Sequence, residues 1–340
     1  MDNNEVAKSL LLNAEKKIAK ERQAMFDHIT SITKQKDVNI TSCESAWEGE
    51  AVDSMSGTLY DFEYLHLQEL WTQYGIRGQG ANVYVIDSGI DDSHPGFIGH
   101  DIRKKSFLKE NDSPKDGNGH GTWVCGKISA QGTGIAPKCS LTSFRALDDN
   151  GFGTADYSTA ALKWILDNEP EANIVNMSLG SPLASPQQEK IINKLAEQGV
   201  LVVAAAGNYN SEAPFYPGDY ASVLTVAATN KQEVKADFSN YGGDIDIAAP
   251  GVACYGPFLN GAFRKLSGTS MATPIVVGVL TLGISYLKNV KNISDRPFIY
   301  KTITQALYNT AKDIGQTGKD KYYGFGGINA LVFMQKLSEL

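Results

Sequence analysis

The chain has 340 residues, 42% of them hydrophobic, and its 31 basic and 38 acidic side chains leave a net charge of −7. A chain of this length buries about three-quarters of its unfolded surface, which suits one large domain with a small extra segment. The mild, dispersed charge offers no basic stripe, so a nucleic-acid partner is not expected. The longest apolar run, Pro274 to Leu287, is short for a membrane span and reads as a buried helix, so no membrane partner is expected either.

In chain order, residues from about Asn4 to Lys36 are predicted helical. Val6, Leu10, Ile18, Met25, Ile29 and Ile32 recur at roughly helical intervals among Lys and Glu, with no Pro or Gly between them. Residues 37 to 60 are mixed and polar, with turns expected at Gly49 and Gly57. The opening Met1-Asp2-Asn3-Asn4-Glu5 leads into charged sequence and presents no secretory h-region. Cys43, Cys125, Cys139 and Cys254 show neither metal-ligand spacing nor a disulfide framework, and read as free thiols of a reducing, cytoplasmic setting.

From Asn82 onward, short apolar runs alternate with longer helical stretches. Strands are predicted at Val83–Ile86, Ile174–Met177, Val200–Ala206, Ser222–Ala228 and Ile245–Ala248, and helices at Asp156–Asn168, Gln187–Gln198 and Met271–Leu287. Continuous apolar strands between helices predict a mostly parallel sheet covered on both faces. Ligands bind such sheets at the carboxyl ends of the strands, and Asp87, Ser178 and Asn208 all fall at such ends.

Three segments carry chemistry: Val85-Ile86-Asp87-Ser88-Gly89, Asn118-Gly119-His120-Gly121-Thr122 and Gly268-Thr269-Ser270-Met271-Ala272. They supply an aspartate, a histidine and a serine, each beside small residues that let backbone approach closely. A serine hydroxyl is a poor nucleophile near neutral pH. It needs a base to take its proton and a buried carboxylate to hold that base in one tautomer. Ser270 stands at the start of a predicted helix, where N–H groups favour developing negative charge. Alone, Ser270 also fits a helix cap and Asp87 a strand-end turn; their company favours the catalytic reading. His120 alone among the five histidines is flanked by glycines on both sides. Cys125, one turn beyond it, reads as a small buried hydrophobe.

These motifs resemble those of the subtilases, the subtilisin-like serine peptidases, in which the triad residues come in the order Asp, His, Ser. The resemblance also rests on His94-Pro95, Gly134-Ile135-Ala136-Pro137, Asn176-Met177-Ser178-Leu179-Gly180, Ala204-Ala205-Ala206-Gly207-Asn208 and Ala248-Ala249-Pro250-Gly251, and runs from about Leu67 to the C-terminus. It implies a three-layer α/β sandwich over 67–340 with an N-terminal helical extension over 1–66. It implies a serine endopeptidase that forms an acyl-enzyme through Asp87, His120 and Ser270, with Asn208 as an oxyanion-hole donor. An extended polypeptide substrate would lie between Gly151-Phe152-Gly153 and Ser178-Leu179-Gly180, with Ala205 and Ala206 leaving an open wall for bulky apolar residues. Phe152 fits either a pocket cap or ordinary core packing.

Trp123 and Ile275 replace histidines common in the family, outside the triad. The short connection from Lys127 to Gly134 lacks the family's usual calcium-binding loop, so no cofactor is expected to be required, with room left for a weaker calcium site elsewhere. The first 66 residues are the candidate prosegment and intramolecular inhibitor of a zymogen, with Tyr60 to His66 expected to pass near the site and be cut there. The substrate is either general cytoplasmic protein or one precursor peptide. A catalytically inactive fold used for binding, or an esterase using the same triad, is the alternative.

Overall fold

The computed structural model describes residues 39–42, 51–52, 59–110 and 112–340, so the helix expected over 4–36 lies outside the described residues. Seven parallel strands form the central sheet: β3 (Asn82–Asp87), β4 (Ile102–Ser106), β5 (Ser140–Arg145), β7 (Ile174–Met177), β9 (Leu201–Ala205), β10 (Val223–Thr229) and β11 (Ile247–Pro250). Their spatial order is β11-β10-β9-β7-β3-β5-β4. The chain therefore builds outward from β3 in one direction through β5 and β4, and in the other through β7, β9, β10 and β11. The carboxyl end of β3 is the switch point of the sheet, and Asp87 ends that strand.

Two-residue alternation splits each strand between two cores. Val83 and Val85 of β3 face one cluster while Tyr84 and Ile86 face the other. The first cluster holds helices α3 (His120–Ser129) and α6 (Thr269–Asn289), with α7 (Arg296–Thr310) and α8 (Ala330–Ser338) outside them. The second holds α4 (Ala155–Asn168) and α5 (Pro186–Glu197). Helix starts follow local chemistry: the Thr154 hydroxyl caps α4, Ser185 caps α5 ahead of Pro186, and Asp295 caps α7 ahead of Arg296-Pro297. Helix α6 is apolar all round because it is buried from Thr269 to Leu287.

Two further strands were not expected. β5 reads Ser-Leu-Thr-Ser-Phe-Arg, yet Thr142, Ser143 and Arg145 are buried. β4 is a polar edge strand.

Residues 60–66 also depart from expectation. Helix α1 (Tyr60–Tyr64) leads into α2 (Leu67–Tyr74), and Leu65 sits in the main core. The Tyr60 hydroxyl donates to Val252 O at 2.8 Å, and Lys127 Nζ donates to Asp61 Oδ2 at 2.5 Å with both side chains buried. This stretch packs into the catalytic body. The segment that reaches residues 152–154 and 179–180 lies farther upstream. Strand β1 (Asn39–Ser42) pairs antiparallel with both β6 (Phe152–Thr154) and β8 (Leu179–Gly180). Strand β2 (Ala51–Val52) then pairs with β13 (Phe263–Leu266), itself paired with β12 (Cys254–Pro257).

Candidate active site

Asp87, His120 and Ser270 arrive from three elements at one end of the sheet: the end of β3, the first residue of α3 and the second residue of α6. His120 Nδ1 lies 2.7 Å from Asp87 Oδ1, and both side chains are wholly buried. The same carboxylate oxygen accepts from the Ser88 N–H at 2.7 Å. A carboxylate can only accept, so Nδ1 is the protonated nitrogen and Nε2 is left as the basic one.

His120 is held from behind by a residue that carries no motif of its own. Asp116 Oδ1 accepts from the Ser88 hydroxyl and from the Asn118 and Gly119 N–H groups. Its Oδ2 accepts from the Thr122 N–H and hydroxyl, and Ser88 Oγ accepts from the Gly121 N–H. One buried carboxylate thus ties the loop before α3 to the turn after β3. The only sequence signal was the turn chemistry of Asp116-Gly117-Asn118-Gly119. Gly121 is required here, because a Cβ would meet Gly89 O at 2.2 Å.

Ser270 sits where α6 is locally open. Pro274 has no N–H, so the Ser270 carbonyl lacks its usual helical partner. The Ser178 hydroxyl donates to that carbonyl at 3.0 Å and accepts in turn from Asn176 Nδ2 at 2.9 Å. Ser270 Oγ donates to Ser178 O at 2.9 Å, so the serine side chain lies against the chain just before β8. Asn208 follows β9. Its Oδ1 accepts from both the Thr269 N–H and the Thr269 hydroxyl, each at 2.9 Å. A backbone N–H can only donate, which fixes the amide orientation and turns Nδ2 away from Thr269.

The residues expected to flank a substrate lie on, or one position before, two short strands, β6 and β8. Gly151 takes a left-handed turn (φ 78°) into β6, Phe152 is 54% exposed and so is not a core residue, and Gly153 faces Ala146 O. Ser178, Leu179 and Gly180 are buried opposite them, and β1 runs between the two edges. Ala205 is buried and Ala206 nearly so, but the wall they form is not open: Phe215 packs against Ala205 and Tyr209.

The chain matches the family model described as "Subtilase family" over residues 78–326. It belongs to the subtilase family. Among similar proteins, thermitase of Thermoactinomyces vulgaris is 35% identical over 76% of this chain and 90% of its own. Subtilisin Savinase of Lederbergia lenta is 37% identical over 75% of this chain and 91% of its own, and subtilisin NAT of Bacillus subtilis subsp. natto 35% identical over 75% and 66%. The subtilase fold and these relatives make the chain a subtilisin-like serine endopeptidase.

Other family positions are structural here. His94 Nε2 contacts Ala262 O and its Nδ1 accepts from the Gly96 N–H; burial lowers its pKa from the ordinary value. Trp123 is buried and donates from Nε1 to Arg264 O. Burial pushes the Cys125 thiol well above its ordinary value and Cys254 up to about 12, so neither is a ready nucleophile. After α3 the chain turns at once, with the Gly134 N–H donating to Ala130 O. Among the described residues no group of three or more His, Cys, Asp or Glu side chains is placed to hold a metal.

Proposed function

We propose that this subtilase cleaves polypeptides by Ser270 attack and that residues upstream of Leu59 hold it latent until they are cut. In the reaction, His120 Nε2 takes the Ser270 Oγ proton as Oγ bonds to the scissile carbonyl carbon. Asp87 stabilises the imidazolium through Nδ1. The Asn208 amide and the Ser270 N–H at the start of α6 donate to the oxyanion. His120 then gives its proton to the leaving amine, and water repeats the sequence on the acyl-enzyme. Substrate adds as an extended strand whose main chain pairs with β6 and β8.

The single observation behind latency is β1. Asn39, Ile40 and Thr41 pair with Thr154, Gly153 and Phe152, while Thr41 and Ser42 pair with Gly180 and Leu179. That is the middle position an extended substrate would take, and in this form His120 and Ser270 are closed to solvent. The free thiols of Cys125, Cys139 and Cys254 favour a reducing, cytoplasmic setting with cytoplasmic proteins or one precursor peptide as substrate.

The test is intact mass of wild type and Ser270→Ala after incubation and treatment with a fluorophosphonate. Wild type is expected to lose a segment that includes β1 and to gain one adduct. Ser270→Ala should stay full length and unlabelled. A labelled enzyme that keeps its full N-terminus sinks latency and leaves the peptidase. No adduct and no cleavage sinks both.

A further inference from the structure

Phe215 stands in the crevice that must receive the side chain just before the scissile bond, and we infer that it restricts this peptidase to small residues there. This rests on the proposed role of Ser270 and deepens it. A substrate strand takes the place of β1, so the residue opposite Ser178 presents its carbonyl to Ser270 Oγ and to Asn208. Pinned by Ser178 on one side and Asn208 on the other, its side chain enters the gap between the chain at 178–180 and the chain at 205–208.

That gap is filled by an aromatic ring. A Cβ on Gly180 would lie 2.2 Å from Phe215 Cε1, and one on Gly207 would lie 2.9 Å from Cδ1. The ring therefore touches both walls, at the two places where glycine leaves room. Gly207 also needs to be glycine for its left-handed backbone (φ 101°), but Gly180 carries no such φ. At Gly180 the ring is the nearest obstacle to a side chain, with Tyr216 O next at 2.8 Å. Phe215 is 2% exposed, with the Tyr209 ring centroid 5.6 Å away on its far side. Asp219 Oδ2 accepts from the Phe215 N–H at 3.0 Å and holds its backbone. A Leu or Phe side chain in this gap would have to displace a ring wedged between two strands, whereas Ala, Ser, Cys or Gly needs no movement. The small Ala205 and Ala206 therefore do not make an open pocket, contrary to the sequence expectation of cleavage after bulky apolar residues. The chain's own sequence is compatible: the residue that follows Ser42 is the small Cys43.

The experiment uses quenched peptides that carry the β1 sequence NITS followed by one variable residue, X, together with mass-spectrometric mapping of cuts in denatured casein. Fluorophosphonate labelling counts active serines. Wild type should turn over X = Ala or Ser about 10²-fold better in kcat/KM than X = Leu or Phe, a size that one or two displaced methylenes can produce. Phe215→Ala and Phe215→Gly should narrow that ratio at least tenfold, and casein cuts should shift from small toward large residues. Cuts by wild type after Leu, Phe and Tyr as readily as after Ala overturn the inference while the peptidase stands. So does an unchanged ratio in both variants. Failure of the untreated protein to cut any substrate, whether or not a parallel aliquot takes the label, overturns the peptidase reading itself, and this inference with it.

Discussion

Replacing Asp61 by alanine removes one half of an ion pair that is out of water on both sides. Lys127 Nζ donates to Asp61 Oδ2 at 2.5 Å, with side-chain exposures of 0% and 1%, and the Trp123 and Phe62 rings flank the ammonium at 5.5 and 5.6 Å. Alanine supplies no charge in its place, and the lysine is wholly buried. Breaking such a pair from one side costs about 3–5 kcal/mol, because an uncompensated buried charge remains. Replacing both partners by apolar groups, as in Asp61→Leu with Lys127→Met, removes that charge and should return most of the loss. The assay is urea unfolding of the Ser270→Ala background, in which self-digestion cannot obscure the transition, with the midpoint and slope measured for wild type, each single variant and the double variant. The same cycle on Ser270→Ala protein expressed from Leu59 onward should give the same coupling, since α1 packs with the residues that follow it. A loss below about 1 kcal/mol in Asp61→Ala, or a double variant no better than the single, would refute the reasoning.

Three further outcomes follow from the geometry. Asn208→Ala should lower kcat by about 10²–10³, the size known for this donor in a subtilisin, with KM little changed; a loss confined to KM would remove Asn208 from the oxyanion site. Gly180→Ala drives a Cβ into the Phe215 ring at 2.2 Å and toward Tyr216 O at 2.8 Å, and should cost about 1–3 kcal/mol in chemical unfolding, recovered in part in a Phe215→Ala background; equal costs in the two backgrounds would deny the ring contact. Asp219 is pushed up to about 6, first by burial and then by the Asp244 charge. Its folded pKa lies above the unfolded one, so its contribution to stability is full below about pH 4 and is lost as pH rises through about 6. Asp219→Asn stays neutral and keeps the acceptor for the Phe215 N–H, so it should match wild type at pH 4 and melt higher at pH 8. A variant that melts lower at pH 8 contradicts this sign.

How much of this could be read from the sequence depended on whether a residue's role was set nearby. Asp87, Ser178 and Asn208 were placed at strand ends because apolar runs such as Val83–Ile86 and Leu201–Ala205 announce buried parallel strands. His120 was distinguished by its glycines, which the close approach of Gly89 to Gly121 requires. β5 is not legible because Thr142, Ser143 and Arg145 are buried although polar, Arg145 with its guanidinium donating to Leu147 O and Lys115 O, so composition misleads. Phe215 sits in an aperiodic stretch, Pro214 to Pro217, and only the folded neighbours Gly180 and Gly207 give it a role. The Asp61–Lys127 pair joins segments 66 positions apart, and nothing local marks either residue as buried.

β1 was the least legible element, since Asn39-Ile40-Thr41-Ser42 has no strand pattern and becomes a strand only between two edges far along the chain. Those edges are unsatisfied backbone in the absence of a third strand, and the nearest supply is intramolecular. A tethered segment competes at an effective concentration in the millimolar range, so even weak main-chain pairing keeps out most substrates. Downstream, β2 is anchored on β13, the strand that leads into Gly268-Thr269-Ser270, and α1 is anchored by Asp61 and the Tyr60 hydroxyl. On the proposed reading, one cut between Ser42 and Ala51 separates these anchors. β1 then becomes a bimolecular ligand diluted to the protein concentration and leaves, while β2 and α1 stay joined to the body. Latency and stability thus reside on opposite sides of the cut, so activation need not expose the buried Lys127. A cut placed after His66, by contrast, would release Asp61 together with the Tyr60 and Leu65 contacts, and so deprive Lys127 of its partner.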